Sequence, residues 1–254
     1  MKLEIARVTD SNQPMTGAHL LWLEAPQIAK EARPGQFVMV RCGENDEHQL
    51  RRPLSIHQRV GDQIALLFNI VGGGTQWLSE RTSGDKLDLL GPLGNGFNVS
   101  PNAKKLLMIA GGIGIAPLVF LAEAAAKKGL SVTLLYGAPT AAQLYPHPTK
   151  AELVTATEDG SVGRKGLITD FLPEYLDSAD QIFACGPLLM YRAMARMPEL
   201  KNKSVQISLE VRMGCGVGVC YGCTVKAKNG LKQVCKDGPV FELNDILWAE
   251  LGDI

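Results

Sequence analysis

The chain has 254 residues, of which 46% are hydrophobic and 20% charged, and its 26 basic residues balance its 26 acidic ones. This composition excludes a disordered or fibrous chain, and the zero net charge argues against DNA, RNA or an anionic membrane as a partner. The first ten residues carry charges where a signal peptide would be apolar, so we expect a cytoplasmic protein. The longest uncharged run, 106–122, is broken by three glycines and a proline, so we expect no membrane insertion.

The first hundred residues have the pattern of short strands separated by turns. Gly and Pro turn signals such as Pro34-Gly35 and Gly61-Asp62 punctuate this part of the chain. Regular short strands of this kind predict an antiparallel barrel or sandwich. The expected strands are 18–24, 36–41, 54–58, 63–70 and 86–90.

The pattern changes after Pro101. An apolar strand at 106–110 is followed by a glycine loop, a helix at 117–128 that ends at Gly129, and a second apolar strand at 132–136. Apolar strands alternating with helices predict parallel pairing in a doubly wound α/β domain. The same rhythm continues through strands at 153–155, 181–184 and 205–209 and helices at 168–176 and 188–197.

Four cysteines near the C-terminus follow the pattern C-x4-C-x2-C-x11-C: Cys215, Cys220, Cys223 and Cys235. The first three have the spacing of a plant-type [2Fe–2S] site, in which four thiolates hold two irons. Glycines at 214, 216, 218 and 222 suit the tight loop that must wrap such a cluster. A four-cysteine zinc site is the alternative, although zinc sites usually pair two C-x2-C knuckles and this loop has one. From residue 213 onward no segment is long enough for an independent core.

Two neighbouring barrel segments have the residues that a flavin dinucleotide requires. In Arg51-Arg52-Pro53-Leu54-Ser55, a guanidinium can pair with a diphosphate in two-pronged geometry, and the serine hydroxyl and nearby backbone can fix a flavin ring. The backbone amides of Gly72–Thr75 could approach the same diphosphate. Taken by itself, the arginine pair is better interpreted as a solvated surface feature.

Two loops of the α/β domain indicate a nicotinamide site. Gly111-Gly-Ile-Gly-Ile-Ala-Pro117 lies between a strand and a helix N-terminus, where a dinucleotide phosphate is stabilised, although it could simply be a tight turn. Cys185-Gly-Pro187 ends another parallel strand, at the edge where such sheets bind ligands. Cys185 is either part of this site or a buried structural thiol, and Cys42 is most simply a buried small residue. The segment 137–145 has no Arg or Lys for a 2′-phosphate, which favours NAD over NADP.

In this order the motifs resemble the ferredoxin–NADP reductase superfamily, and within it residues 208–223 and 234–241 resemble the electron-transfer subunits of type B dihydroorotate dehydrogenases. The resemblance implies an FAD-binding β-barrel (1–100), an NAD-binding doubly wound α/β domain (101–207) and a small [2Fe–2S] domain (208–254). The implied flavin contacts are Arg52, Pro53, Leu54, Ser55, Leu67, Phe68, Asn69, Gly74 and Thr75. The implied nicotinamide contacts are Gly111, Gly112, Gly114, Cys185, Gly186 and Pro187.

The resemblance also implies a partner, an FMN-containing catalytic subunit that oxidises dihydroorotate to orotate in pyrimidine biosynthesis, in a heterotetramer. Electrons would pass from that FMN through the cluster and FAD to NAD+, because a flavin exchanges both single electrons and hydride. We expect no catalytic acid or base in this chain, and none of His19, His48, His57 and His147 is predicted to be catalytic. The alternatives are a hydrogenase-type or ferredoxin-reductase-type subunit, and a zinc-stapled binding module with a degenerate nucleotide pocket.

Overall fold

The computed structural model describes residues 1–43, 48–146 and 150–252. The first part of the chain forms a closed antiparallel barrel with the strand order β1-β2-β5-β4-β3-β6, as predicted. Its elements are β1 (Lys2–Met15), β2 (Ala18–Glu24), α1 (Pro26–Glu31), β3 (Phe37–Val40), β4 (Arg52–Val60), β5 (Gln63–Asn69), α2 (Gly73–Ser79) and β6 (Lys86–Leu93).

Strand β1 is a long element that the sequence interpretation above does not include. Its residues alternate between the barrel interior and the outside from Leu3 to Val8, which is the period of a strand buried on one face. The inward Glu4 accepts hydrogen bonds from the backbone N–H groups of Gln27 (3.1 Å) and Ile28 (2.9 Å). A carboxylate at this position therefore satisfies the first amides of α1 from outside the helix.

The glycine segment expected as a turn after β5 is the start of helix α2. The Thr75 hydroxyl accepts hydrogen bonds from the N–H groups of Val71 (2.9 Å) and Gly72 (3.2 Å) and donates one to the Gly72 carbonyl (3.0 Å). These bonds fix the loop that enters the helix, so the helix begins within the glycines.

The second part of the chain forms a seven-stranded sheet with the order β10-β9-β8-β7-β11-β12-β15, in which all pairs except β12–β15 are parallel. From β7 the sheet extends toward β8 on one side and toward β11 on the other, so the strand order reverses between β7 and β11. This confirms the predicted doubly wound architecture. The elements are β7 (Lys105–Gly111), α3 (Ile115–Lys127), β8 (Ser131–Ala138), β9 (Glu152–Thr157), β10 (Arg164–Lys165), β11 (Gln181–Cys185), α4 (Leu188–Arg196), β12 (Val205–Ser208), β13 (Thr224–Ala227), β14 (Gly230–Gln233), α5 (Val234–Asp237) and β15 (Val240–Glu242).

Two predicted helices differ from the structure in ways that proline explains. Helix α3 begins at Ile115, two residues before the predicted start at Pro117. Proline fits here because the N–H groups of the first turn take no part in the helical hydrogen-bond ladder. Residues Ile168–Ser178 form 3₁₀ turns rather than an α-helix. Pro173 lies inside this segment and cannot donate an interior helical hydrogen bond.

The C-terminal tail, residues 208–252 of the described chain, shares a core with the α/β domain. Strand β15 adds the edge strand to the sheet, and Val225, Val234, Leu243 and Ile246 are buried in the cluster that also contains residues of β11, β12 and α4. Hydrophobic burial therefore holds the tail, even though no segment of it could form a core alone. In the part of the chain that the structure describes, no helix is long and apolar enough to cross a membrane.

Candidate functional site

A cavity of about 660 Å³ opens between the barrel and the tail. Of the residues predicted to contact a flavin, all except Gly74 line it: Arg52, Pro53, Leu54, Ser55, Leu67, Phe68, Asn69 and Thr75. They come from β4, β5 and α2, because β4 and β5 are neighbours in the barrel and α2 follows β5 directly. Residues 208–213 and Pro239 of the tail close the other side.

Gly74 does not line this cavity but packs against Arg52, which does. A Cβ at position 74 would lie 2.9 Å from Nε of Arg52, so the Arg52 guanidinium rests directly against the glycine. A side chain there would push the guanidinium away from the start of α2. The arrangement places a forked cation beside the amides of the glycine segment, which fits a diphosphate.

A second cavity, of about 580 Å³, lies at the carboxyl ends of β7 and β11, where the strand order of the sheet reverses. The predicted residues Gly111, Gly112, Gly114, Gly186 and Pro187 line it. The two loops touch closely, since a Cβ at Gly114 would lie 2.1 Å from the carbonyl oxygen of Cys185. Only glycine allows this approach, which brings the two loops together beside the N-terminus of α3, where a phosphate would be stabilised.

Tyr191 of α4 holds the second loop in place. Its hydroxyl donates to the Ser208 carbonyl (2.7 Å) and accepts from the Gly186 N–H (2.9 Å). Burial raises the pKa of Tyr191 well above its ordinary value, with smaller contributions from the nearby Cys185 and Glu210. The phenol therefore stays neutral and keeps its proton for the hydrogen bond to Ser208.

The two cavities share a wall. Asn69, Ile113 and Glu210 line both of them, so ligands that filled both cavities would meet beside these residues. Glu210 is solvent-exposed through the two cavities, although many protein atoms surround its carboxylate. Burial among protein atoms raises the pKa of Glu210 above that of an ordinary glutamate.

The structure does not bring the Cys185 thiol to a cavity surface. Cys185 is fully buried and is not among the described residues that line either cavity. Its Sγ lies 3.6 Å from the Ser208 carbonyl oxygen and 4.0 Å from Oε1 of Glu210. The thiol thus lies one layer behind the shared wall, and a role for it in nicotinamide binding stays a prediction.

The four cysteines of the tail form two pairs. Sγ of Cys223 lies 3.3 Å from Sγ of Cys235, and the Cys220 thiol is hydrogen-bonded to the sulfur of Cys215. Two pairs suit two irons that each take two thiolates, whereas a zinc site gathers four ligands around a single ion. Both Gly214 and Gly222 lie directly beside Cys220, since a Cβ at either position would be in van der Waals contact with its sulfur, at 3.4 or 3.6 Å.

The loop also directs amides at its sulfurs. The N–H groups of Val217 and Val219 each lie 3.4 Å from Sγ of Cys215. Burial raises the pKa of Cys215, but these hydrogen bonds, with one from the Cys220 amide, outweigh it and lower the pKa to about 6. Burial and the neighbouring Cys223 raise the pKa of Cys235 to about 12. A site with amide donors and paired sulfurs fits an iron–sulfur cluster, whose cationic irons would keep the thiolates ionised.

Several residues that line these cavities were not among the predicted contacts. Glu210, Arg212 and Met213 line the first cavity, and Glu158 and Gln143 line the second. The Glu210–Met213 segment could have been found from its place directly before the cysteine loop. Among the described histidines, His19, His48 and His57 are not in the lining of either cavity, and His147 lies outside the described residues.

Two segments match known protein families. Residues 108–196 match the family described as the oxidoreductase NAD-binding domain. Residues 210–247 match the iron–sulfur cluster binding domain of dihydroorotate dehydrogenase B. With the barrel and its cavity, these matches define an NAD-linked flavin and iron–sulfur oxidoreductase subunit.

Relatives are similar over most of the chain. The dihydroorotate dehydrogenase B (NAD(+)) electron transfer subunit of Desulforamulus reducens is 40% identical, with 89% of this chain and 90% of that protein covered. The corresponding subunit of Geobacillus sp. (strain WCH70) is 37% identical, with 97% and 99% covered. This chain belongs to the family of dihydroorotate dehydrogenase B electron transfer subunits.

A solved structure of related fold comes from a different enzyme. The NADH-dependent reduced ferredoxin–NADP oxidoreductase studied for flavin-based electron bifurcation superposes with a TM-score of 0.86 and 28% identity. The superposition covers 98% of this chain and 91% of that one. The barrel, α/β domain and tail thus recur together in an enzyme with another electron partner.

Proposed function

We propose that this chain carries electrons between an FMN-containing catalytic subunit, which oxidises dihydroorotate to orotate, and NAD+. The observation that carries the proposal is the order of the three sites. The first cavity lies between the cysteine loop, which follows its lining residue Met213, and the second cavity, with which it shares Asn69, Ile113 and Glu210. A flavin in the first cavity would supply the conversion between single electrons and hydride that this order requires.

The residues of this chain hold and orient the groups. Arg52 and the amides around Gly74 and Thr75 would hold the FAD diphosphate, with Pro53 to Ser55 and Leu67 to Asn69 along the flavin. The amides of Gly111, Gly112 and Gly114, together with Gly186 and Pro187, would hold the NAD diphosphate at the start of α3. Cys215, Cys220, Cys223 and Cys235 would hold the two irons.

The orotate chemistry belongs to the partner in this proposal, so no residue here is assigned a catalytic acid or base role. The proposed assembly is a cytoplasmic heterotetramer with the FMN-containing subunit. The domain boundaries at 100 and 207 are part of the proposal, with the qualification that β15 of the tail completes the sheet of the middle domain.

A ferredoxin-linked reductase is the second candidate, because the ferredoxin–NADP oxidoreductase superposes over nearly the whole chain. The test is to co-express this chain with a dihydroorotate dehydrogenase catalytic subunit, purify the complex and record its spectrum and mass. We expect flavin and [2Fe–2S] absorption, a heterotetramer, and NAD+ reduction by dihydroorotate. Failure of the two chains to associate, combined with NAD+ reduction by reduced ferredoxin, would favour the second candidate.

Replacement of Cys185 tests the role of the buried thiol. We expect Cys185→Ala to retain FAD and to slow FAD reduction by NADH at least several-fold, because the substitution removes the group packed against the Glu210 carboxylate. Stopped-flow reduction of the purified subunit measures this. Cys42→Ala, which removes a buried thiol of the barrel, is the matched control. An unchanged rate in Cys185→Ala would assign the thiol to the structural core.

Glu158 is expected to select NADH over NADPH. The described charged residues that line the second cavity are Glu158 and Glu210, and both would repel a 2′-phosphate. We expect Glu158→Gln to raise the kcat/KM for NADPH relative to NADH by about fivefold, as one unfavourable charge is lost. Glu152→Gln, at the exposed start of β9, the strand that ends just before Glu158, should leave the ratio unchanged. If the ratio of kcat/KM for NADPH to that for NADH is the same in both variants, the 2′ position of the bound nucleotide lies away from Glu158.

A further inference from the structure

The outer face of strand β1 carries apolar side chains that nothing in the described chain covers. Leu3 is 66% exposed and Ile5 is 62% exposed, while the alternate residues Glu4, Ala6 and Val8 are buried. The outward face of an antiparallel barrel strand is normally polar. Single exposed apolar residues are ordinary, but two consecutive outward positions on one strand form a patch.

The register of the barrel connects this patch to the cysteine loop. Met39 of β3 is paired with Leu90 of β6, and Leu90 is paired with Leu3 of β1, so the three residues form one row across three strands. Neighbouring strands lie about 4.8 Å apart, which puts the Cα atoms of Met39 and Leu3 about 10 Å from each other. Strand β1, which carries the patch, is therefore separated by one strand from β3, which carries Met39.

The exposed fraction of the side chain increases along this row from Met39 to Leu3. Met39 is fully buried under the cysteine loop, since a Cβ at Gly216 would lie 2.5 Å from its Cγ. Leu90 is half-buried, and Leu3 is exposed. The cysteine loop thus covers one end of an apolar surface whose other end is open.

Ion pairs border the patch at both ends of its strand segment. Lys2 lies 3.5 Å from a carboxylate oxygen of Glu31, and Arg7 lies 2.7 Å from one of Glu24. An apolar centre with a charged rim is the composition of a protein–protein interface.

We propose that Leu3 and Ile5 form part of the surface on which the FMN-containing catalytic subunit docks. This inference rests on the proposed function, which requires the partner to approach the cysteine loop, where Cys220 and Val219 are exposed. A stable interface buries about 800 Å² and about 20–30 residues on each side. The nine residues 215–223 are too few, so the partner must also cover neighbouring surface, and the patch on β1 supplies open apolar surface in the row of residues that the loop partly covers.

The experiment compares Leu3→Glu and Ile5→Glu with Val60→Glu in binding to the catalytic subunit, measured by titration calorimetry. Val60 is 58% exposed on β4, which lies opposite β1 in the barrel order, three strands away in either direction. We expect each β1 variant to weaken binding at least tenfold and Val60→Glu to have no effect. FAD and iron content and FAD reduction by NADH should be unchanged in all three variants, because the substituted side chains are exposed and away from both cavities.

Val219→Glu, on the cysteine loop, separates failure of this inference from failure of the proposed function. If it weakens binding with iron content intact while the β1 variants bind like the wild type, the partner docks without β1 and the inference is wrong. If the wild type does not bind the catalytic subunit, the proposed function is wrong, and the docking inference that rests on it is wrong as well. If the β1 substitutions instead abolish self-association of this chain and leave the hetero-complex intact, a second copy covers the patch and the inference is overturned.

Discussion

Cys220→Ala is expected to lose essentially all of the bound iron while it keeps its FAD. Cys220 is exposed and paired with Cys215, so its removal leaves one iron with a single protein thiolate. The residues proposed to hold FAD belong to β4, β5 and α2, in a different part of the fold from the cysteines. Iron analysis and the EPR signal of the dithionite-reduced protein measure the cluster, and the flavin absorption measures FAD.

The same variant should separate the two halves of the electron path. Reduction of FAD by NADH should survive, because the two cavities are intact, whereas transfer to or from the catalytic subunit should fail. Cys42→Ala should keep iron and transfer alike, since Cys42 is buried in the barrel. Unchanged iron content and an unchanged EPR signal in Cys220→Ala would show that this cysteine is not a ligand.

Arg52→Ala is expected to weaken FAD binding by one to two orders of magnitude. Its guanidinium lies against Gly74 at the wall of the first cavity and donates to the Leu50 carbonyl, so it has donors left for a diphosphate. The loss of a charge-assisted hydrogen bond costs about 1.5–3 kcal/mol, which corresponds to this change in Kd. Fluorescence titration of the apoprotein with FAD measures it.

The controls for Arg52 follow from the structure. Arg51 is the obvious neighbour in sequence, but it pairs with Asp88 at 2.7 Å and donates to the Asp88 carbonyl at 2.9 Å, so Arg51→Ala would leave a half-buried carboxylate without its cation. Arg196→Ala, on the exposed face of α4, changes the net charge equally and should bind FAD normally. The FAD affinity of Arg52→Lys should lie between those of the wild type and Arg52→Ala, because lysine keeps the charge but lacks the forked guanidinium. Equal FAD affinity in Arg52→Ala and Arg196→Ala would exclude the diphosphate contact.

Local patterns were sufficient where one physical constraint determines the residues. The four cysteines and their glycines follow from the geometry of a cluster-binding loop, and parallel strands buried on both faces must be apolar runs such as 106–110. Turn glycines at Gly35 and Gly61 have positive φ angles, which is why the breaks between strands were visible. These features are short in sequence, so no distant contact was needed to recognise them.

Elements stabilised by distant residues were missed. Strand β1 has apolar residues at the outward positions 3 and 5 and the charged Glu4 at an inward one, and the first amides of α1 are satisfied by Glu4, twenty-three residues before Gln27. Neither has a local signal, because what holds each of them lies elsewhere in the chain. The apolar residues Leu3 and Ile5 look like ordinary core positions until the barrel register turns them outward.

The sequence by itself determined the fold class and predicted the order of the three parts, the cysteine ligand set and a segment for each cofactor, since these depend on residue type and spacing over a few residues. Only the tertiary structure decided that Asn69, Ile113 and Glu210, from three separate parts of the chain, form one wall between two cavities. It also placed the Cys185 thiol behind that wall and made β15 part of the sheet. The physical reason is that such positions follow from which surfaces pack together when the barrel, sheet and tail bury their apolar faces, and this packing has no signature in local sequence.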